Sequence, residues 1–195
     1  MVEFALVAPV VLLIIGGTVD MGRGMLMYAL LQGASRDMAR QAALGYYSGS
    51  NTLPPDCSAL TSPCTGTSIV NGAHQLDSLG ATVVYADSGS ISAAPTAYGS
   101  YSGGSTTSPG TITLVSPSPN TVYVFIYELD STVGASNPRW SCPSCAAANG
   151  VAVRTPGHQL AVVDLKLQWQ PVLAKLLGIP TVITFDSQTV IRMEF

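Results

Sequence analysis

Four cysteines are the side chains of this chain best suited to chemistry, and they form two close pairs, Cys57 with Cys64 and Cys142 with Cys145. An even number of cysteines in loops rich in Pro and Ser favours disulfide bonds and an oxidising compartment. Two local bonds are the simplest pairing, and a link between the two loops stays open. A Zn²⁺ site is less favoured because six residues separate the first pair, whereas zinc ligands are usually two to four residues apart. The second pair has redox-motif spacing, but no thioredoxin-like strand–helix unit surrounds it.

Catalytic patterns are hard to find elsewhere in the chain. Its two histidines, His74 and His158, stand alone near glycines and belong to no zinc, nucleophile-elbow or phosphate-loop motif. The remaining acidic candidates lie at predicted strand positions or strand ends, where a solvated face or a turn explains them: Glu128, Asp130, Asp164 and Asp186. The sequence therefore predicts a protein that is not an enzyme, with no catalytic residue, cofactor or metal site.

Glu3 stands at the head of an otherwise uncharged apolar run from Phe4 to Val19. A carboxylate entering an apolar environment is costly unless something neutralises it. One interpretation is that Glu3 interacts with the partial positive charge of its own helix N-terminus. The other is that it pairs with a positive group, such as an amino terminus, on a neighbouring chain. Both interpretations remain open from the residues alone.

The apolar run itself is near the lower limit for a membrane span, which takes roughly 20 residues. It is apolar on all sides, so we expect burial on all sides. Pro9 lies inside it and would bend the helix locally, which membrane helices tolerate. A cleaved signal peptide is disfavoured because no basic residue precedes the run and residues 16–20 make a poor cleavage site. A signal anchor and a helix that leaves the bilayer for a filament core both fit.

The basic residues near the run, Arg23, Arg36 and Arg40, all follow it. By the positive-inside rule, this arrangement would place the C-terminal part in the cytoplasm. The cysteines and the composition of that part favour the opposite side. We therefore expect a short basic leader to precede this sequence in the precursor.

The helical pattern continues beyond the apolar run to about Tyr46. An apolar stripe recurs at steps of three and four residues, at Met27, Leu31, Ala34, Met38 and Ala42. Such a helix would be about 65 Å long at 1.5 Å per residue. We predict that residues 1–46 form a membrane or filament-core helix and that residues 47–195 form one globular β-rich head.

The head shows four strand patterns, at Ala81–Ala86, Thr121–Leu129, Ala161–Trp169 and Ile183–Phe195. The last two alternate apolar and polar residues, which is typical of an antiparallel sheet with one covered side. The second is apolar on both faces and suits a central position. We expect an α+β fold in which the helix stripe packs on a four-stranded antiparallel sheet, with Met38 beneath Phe185 or Ile191. We expect a short additional helix at residues 67–79.

The segment Asp87–Asn120 is rich in Ser, Thr, Gly and Pro and carries no charge after Asp87. Its pattern predicts a long surface loop, which is functional or mobile, and its hydroxyl groups could carry O-linked sugars. Across the chain the net charge is −3, only 10% of residues are charged, and the basic residues are not clustered. These features exclude a nucleic-acid-binding footprint.

Three stretches together resemble the N-terminal signature of TadE-like pilins, the minor pilins or pseudopilins of the tight-adherence (Tad) branch of type IV pili: Val2–Pro9, Asp20–Arg23 and Ala34–Ala43. Residues 165–173 and 191–194 are similar to that family's tail. The resemblance implies a pilin-like fold and assembly residues at Glu3, Phe4, Pro9, Asp20 and Arg23. In the family the glutamate is the fifth mature residue and here it is the third, so the mature terminus differs or two further residues precede this one.

The resemblance also implies a life cycle: cleavage by a prepilin peptidase, residence in the inner membrane, and export by secretion machinery into an extracellular filament. The expected partners are copies of the chain or other pilins, with no nucleic acid. The first function expected is therefore a structural filament subunit that supports surface adhesion. The alternative is a membrane-anchored adhesion module that does not polymerise and binds through Asp87–Asn120.

Overall fold

The computed structural model describes residues 2–43, 80–86, 93–105, 108–130, 138–140, 159–179 and 181–192. Its longest element is helix α1, Val2–Ala43, with Pro9 inside it. At 1.5 Å per residue, its 42 residues extend for about 63 Å. The continuous helix predicted from the sequence is confirmed over these residues. The boundary between helix and head at residue 46 lies outside the described residues and stays a prediction.

Within the described residues, the main sheet of the head has five strands in the order β1-β4-β6-β7, with β5 paired to β4. Its strands are β1 (Thr82–Tyr85), β4 (Thr121–Asp130), β5 (Arg139–Trp140), β6 (Gln159–Trp169) and β7 (Ile183–Arg192). Strand β4 is central, as predicted. The α+β class is confirmed, but the prediction of a four-stranded antiparallel sheet is wrong, because β1 runs parallel to β4 whereas β4–β6 and β6–β7 are antiparallel. A parallel pair requires a long crossover, and the chain between β1 and β4 provides one.

That crossover contains a hairpin of β2 (Gly99–Ser102) and β3 (Thr111–Leu114), which pair antiparallel as a separate two-stranded sheet. The hairpin covers the face of the main sheet that is opposite α1. Its Ile112 joins Phe125, Tyr127, Trp140 and Val162 in a buried cluster. The expectation of a plain surface loop is therefore wrong over β2 and β3, and so is the expectation of one covered side. Both faces of the main sheet are buried. The segment that carries β2 and β3 has no charged side chains, so it can pack on the sheet without the cost of removing a charge from water.

The other face packs against the second half of α1. The buried cluster there joins the helix stripe to two strands, β4 and β6: Met27, Leu31, Ala34, Met38, Ala39, Val122, Val124, Ile126, Val163, Leu165, Leu167 and Trp169. Met38 is fully buried in it, and Phe185 and Ile191 pack against the same cluster. This confirms the predicted helix–sheet interface.

A group of hydroxyl side chains joins the two sides of that interface. The Ser35 hydroxyl lies 2.9 Å from both the Ser187 Oγ and the Thr189 Oγ1 atoms, and it also donates to the Gln32 carbonyl. Because buried hydroxyls need partners, this group favours one axial position of α1 on β7.

A short helix, α2 (Val172–Leu176), connects β6 to β7. Gly178 follows the C-cap residue Leu177, and its φ of 69° is the left-handed conformation that glycine adopts without strain. Just beyond, the Ile179 N–H donates to the Ala174 carbonyl at 2.9 Å and so satisfies one of the helix's terminal acceptors. The additional helix predicted at residues 67–79 lies outside the described residues.

Candidate assembly surface

Helix α1 has two environments along its length. From Met27 to Ala39 its stripe is buried in the head. Before that, its apolar side chains are exposed all round: Phe4, Leu6, Val7, Val10, Val11, Leu12, Leu13, Ile14, Ile15 and Val19. We call residues 4–19 the free half of α1. A stretch within Leu6–Arg40 is long and apolar enough to cross a membrane, by length and composition alone.

The free half ends at Asp20, which is a buried residue. Its Oδ2 atom accepts a hydrogen bond of 2.6 Å from the backbone N–H of Leu173. Leu173 is the second residue of α2, and the first N–H groups of any helix lack partners within it. No side chain at the N-cap position, Pro171, forms a capping bond. Asp20 therefore supplies from α1 a charge-assisted cap that α2 lacks locally.

One turn further along, Gly24 faces the indole of Trp169. A Cβ atom at Gly24 would lie 3.0 Å from the ring carbon Cη2 of Trp169, which is closer than ordinary van der Waals contact. Trp169 stacks on Phe185 with ring centroids 5.8 Å apart, and Tyr28 packs on Phe185 at 5.6 Å. The absence of a side chain at Gly24 thus lets the helix lie directly on this aromatic cluster.

The predicted assembly residues are distributed between these two environments. Phe4 and Pro9 are exposed on the free half, and Arg23 is exposed on α1 beside the junction. Asp20 instead bonds to the head. Glu3 lies within α1, but its side chain is outside the described residues, so its role stays a prediction. The cysteines, Cys57, Cys64, Cys142 and Cys145, are also outside them, and their pairing stays a prediction.

Sequence reasoning did not identify three features of the junction: the role of Gly24, the role of Leu173, and the contact of Trp169 with α1. A signal existed for Gly24, because glycine within a helix costs about 1 kcal/mol relative to alanine and its presence indicates a close approach. No comparable signal identified Leu173, because its contribution is a backbone N–H and any residue except proline has one.

A second polar group lies on the hairpin-covered face of the sheet. Asp164 and Lys166 are both buried, the Lys166 Nζ atom lies 3.5 Å from the Asp164 Oδ1 atom, and it donates to the Asp186 Oδ2 atom. Asp164 was expected on a solvated face, and that expectation is wrong because the hairpin covers β6. Lys166 and Asp186 are direct partners across the β6–β7 pair, so the buried ammonium reaches one carboxylate at the solvent edge.

Burial has a clear electrostatic consequence here. Desolvation raises the pKa of Asp164 to about 7; the Lys166 ammonium lowers it in part, and Asp186 raises it further. Desolvation also raises the pKa of Tyr127, with Tyr101 and Asp164 adding to the shift. Gln188 donates to both the Tyr127 hydroxyl and the Gly110 carbonyl, each at 3.2 Å. These bonds join the hairpin to the sheet, which indicates a structural role.

Comparison with known proteins adds one finding. The family model described as TadE-like protein matches residues 1–40, which is nearly all of α1, and the resemblance predicted from the N-terminal motifs is confirmed. No curated protein and no solved structure matches significantly. The similarity thus covers α1 as far as Arg40, including Asp20 and Gly24 on the α1 side of the junction, and not the strands of the head.

Proposed function

We propose that the chain is a pilin, a structural subunit of an extracellular Tad-type filament that assembles by bundling of N-terminal helices and supports surface adhesion. The observation that carries the proposal is the free half of α1, whose apolar side chains are exposed on all sides, whereas one stripe of the later part of the helix is buried in the head. The match of residues 1–40 to the TadE-like family supports the same role.

The physical argument starts from the cost of exposing this helix to water. Burial of apolar surface is worth roughly 25 cal/mol per Å², so a bare apolar helix of this length requires a nonpolar environment. A bilayer provides one before assembly, and the helices of other subunits provide one afterwards. Because lipid chains and leucine side chains are similarly apolar, the transfer between the two is governed by packing and polar contacts. One surface can therefore serve both the inner-membrane precursor and the filament.

Glu3 would then determine how subunits align. In a bundle of apolar helices an ionised carboxylate is stable only beside a positive group, and a neighbour's amino terminus is the group we propose. Only one axial stagger brings the two charges together, so this pair would select the register. Phe4 and Pro9, which are exposed on the same half, would line the contact between helices. Arg23 would lie at its outer end.

The proposed partners follow from this cycle. A prepilin peptidase would cleave a leader, the inner membrane would hold the mature chain, and secretion machinery would extract it into the filament with copies of itself or other pilins. The role is structural and needs no catalytic residue in this chain.

Substitution of Glu3 tests the proposal. We expect Glu3→Ala to leave a folded, membrane-inserted monomer that enters filaments poorly, because the head is tens of ångströms from residue 3 along α1. Glu3→Gln should be intermediate at best, since it keeps a hydrogen bond but loses the charge. The measurement compares sheared surface fractions with membrane fractions. Asp37→Ala, which removes an exposed carboxylate from the head-bound part of the same helix, is the control and should assemble normally. Normal filament yield from Glu3→Ala would leave only the helix-dipole explanation of this residue.

The alternative function is a membrane-anchored adhesion module that does not polymerise. In that case Asp87–Asn120 would be the contact segment, but its described hairpin contributes to the core: the Tyr101 ring packs edge-on against Tyr127 and Trp140 at 5.5 Å. This inward packing favours the filament subunit. Electron micrographs of purified surface material distinguish the two, since only a subunit yields a filament with a helical repeat.

A further inference from the structure

We propose that the connection between β6 and β7 is a second membrane-binding element, which lies in the lipid leaflet on the head's side of the bilayer while the chain is membrane-anchored. We call residues 172–179 and 181–183 the interfacial segment. Six of its apolar side chains are between 40% and 80% exposed: Val172, Leu176, Leu177, Ile179, Val182 and Ile183. Its one charged residue is Lys175. The inference rests on the membrane-anchored state of the proposed function.

The position of the segment along α1 is the first argument. The Leu173 Cδ1 atom lies 3.4 Å from where a Gly16 Cβ would be, and the Leu173 N–H bonds to Asp20. At 1.5 Å per residue, Gly16 and Asp20 are about 21 and 27 Å from Val2 along the helix axis. The hydrocarbon core of a bilayer is about 30 Å thick. If α1 crosses the bilayer starting at its first turn, the hydrocarbon core therefore extends along the helix to the level of α2.

The polar groups at this level are arranged as a lipid interface requires. Asp20 would be costly against lipid, but it is buried and bonded to α2. Lys175 and Arg23 are exposed, and long basic side chains can extend to phosphate headgroups while their methylenes stay in the apolar region. The bond from Asp20 also gives a backbone N–H of α2 a partner. An element in contact with hydrocarbon needs such partners, because lipid chains cannot form hydrogen bonds with its backbone.

Continuity identifies the occupant as lipid. Leu173 joins the segment to the free half of α1 at Gly16, so the apolar surface of the helix continues into the segment. An isolated apolar patch would equally suit a protein partner, but this one continues a helix that is long and apolar enough to span a membrane. During assembly, the same surface would exchange lipid for neighbouring subunits.

Two valines provide a matched comparison. Val182, in the segment, and Val190, near the far end of β7, are both 40% exposed. At about 3.3 Å per residue, they are about 26 Å apart along the strand. A photoreactive p-benzoylphenylalanine at either position, in the full chain reconstituted in phosphatidylcholine vesicles, should perturb the fold equally little. The same group at Leu12, on the free half of α1, reports whether the helix is inserted.

After irradiation, we expect lipid adducts by intact mass at Val182 and Leu12, and several-fold less at Val190. Adducts at Leu12 without adducts at Val182 would overturn this inference and leave the anchored pilin intact. Crosslinking of Val182 to a second copy would also overturn it, in favour of a subunit contact. The absence of lipid adducts at Leu12 would contradict membrane anchoring itself, and this inference with it.

Discussion

The Oδ2 atom of Asp20 lies 2.6 Å from the backbone nitrogen of Leu173, a contact that joins residues 153 positions apart in the chain. This bond marks the point where α1 leaves the head. N-terminal to it the helix is apolar and largely exposed, and C-terminal to it one face of the helix packs in the core. The junction therefore determines which length of α1 is available to a membrane or to other subunits.

Loss of the Asp20 carboxylate should weaken the docking of α2 on α1. We expect Asp20→Ala to lower the free energy of unfolding by about 1–2 kcal/mol, because the Leu173 N–H loses its acceptor and helix caps are worth this much. Asp20→Asn keeps an acceptor oxygen and should lose less. Urea unfolding followed by the fluorescence of Trp169, close to the junction, measures both. Equal midpoints for the wild-type protein and Asp20→Ala would show that the bond contributes nothing to stability.

Gly24 should tolerate no side chain. In Gly24→Ala the new Cβ would lie 3.0 Å from the Trp169 ring, and overpacking of this kind typically costs about 1–3 kcal/mol. Gly33→Ala is the matched control: it is the same substitution in the same helix, at a position with no atom within 4 Å. At Gly33, replacing a helical glycine by alanine should raise the free energy of unfolding by about 0.5–1 kcal/mol. We expect opposite shifts in Tm by circular dichroism, and a rise for Gly24→Ala would contradict the close packing.

Met38 and Met25 test which face of α1 supports the head. Met38 is fully buried and Met25 is 61% exposed. Met38→Ala should cost about 2–5 kcal/mol of stability by leaving a cavity, whereas Met25→Ala should change it little. Met38→Asp would place an unpaired charge in the core and should unfold the head. An unchanged melting temperature for Met38→Asp would mean that the stripe faces neighbouring subunits instead.

Asp164 should make the head more stable in mild acid. Its pKa is raised by burial from the ordinary 3.8 to about 7 in the folded chain, so between these values the folded state holds a proton that the unfolded state releases. The contribution of this group to stability is full below about pH 4 and is lost as the pH rises towards 7. Asp164→Asn, which is neutral throughout, should lack this component. The measurement is the difference in unfolding free energy between the wild-type protein and Asp164→Asn from pH 4 to 8. A difference that does not change with pH would contradict the raised pKa of Asp164.

The four cysteines should be oxidised in the protein from its native compartment. Their even number and loop setting motivate this prediction, and bonds closing such short loops would each stabilise the head by about 2–3 kcal/mol in the chain-entropy model. The test counts free thiols in denatured, unreduced protein. Zero is expected, and four would restore the zinc alternative.

Local periodicity made much of this architecture predictable. The three- and four-residue steps from Met27 to Met38 identified the buried face of α1, because a helix brings those positions onto one side. The doubly apolar pattern of Thr121–Leu129 identified the central strand, because only a strand covered on both sides needs it. The Val2–Pro9 and Asp20–Arg23 motifs predicted the resemblance to TadE-like proteins that the family model matches over residues 1–40. Each of these signals is carried by neighbouring residues.

Contacts between distant segments were decided only by the tertiary structure. The direction of β1 depended on the path of Asp87–Asn120, whose hairpin covers the second face and buries Asp164. The same is true of the junction, where Asp20 meets a backbone N–H and Gly24 meets the face of an indole. The sequence by itself determined which faces are apolar, because side-chain chemistry and helical or strand period are local properties. Only the packed chain decided which distant groups meet there, because their pairing depends on the path of the connections, and those are polar, turn-rich segments without a periodic pattern.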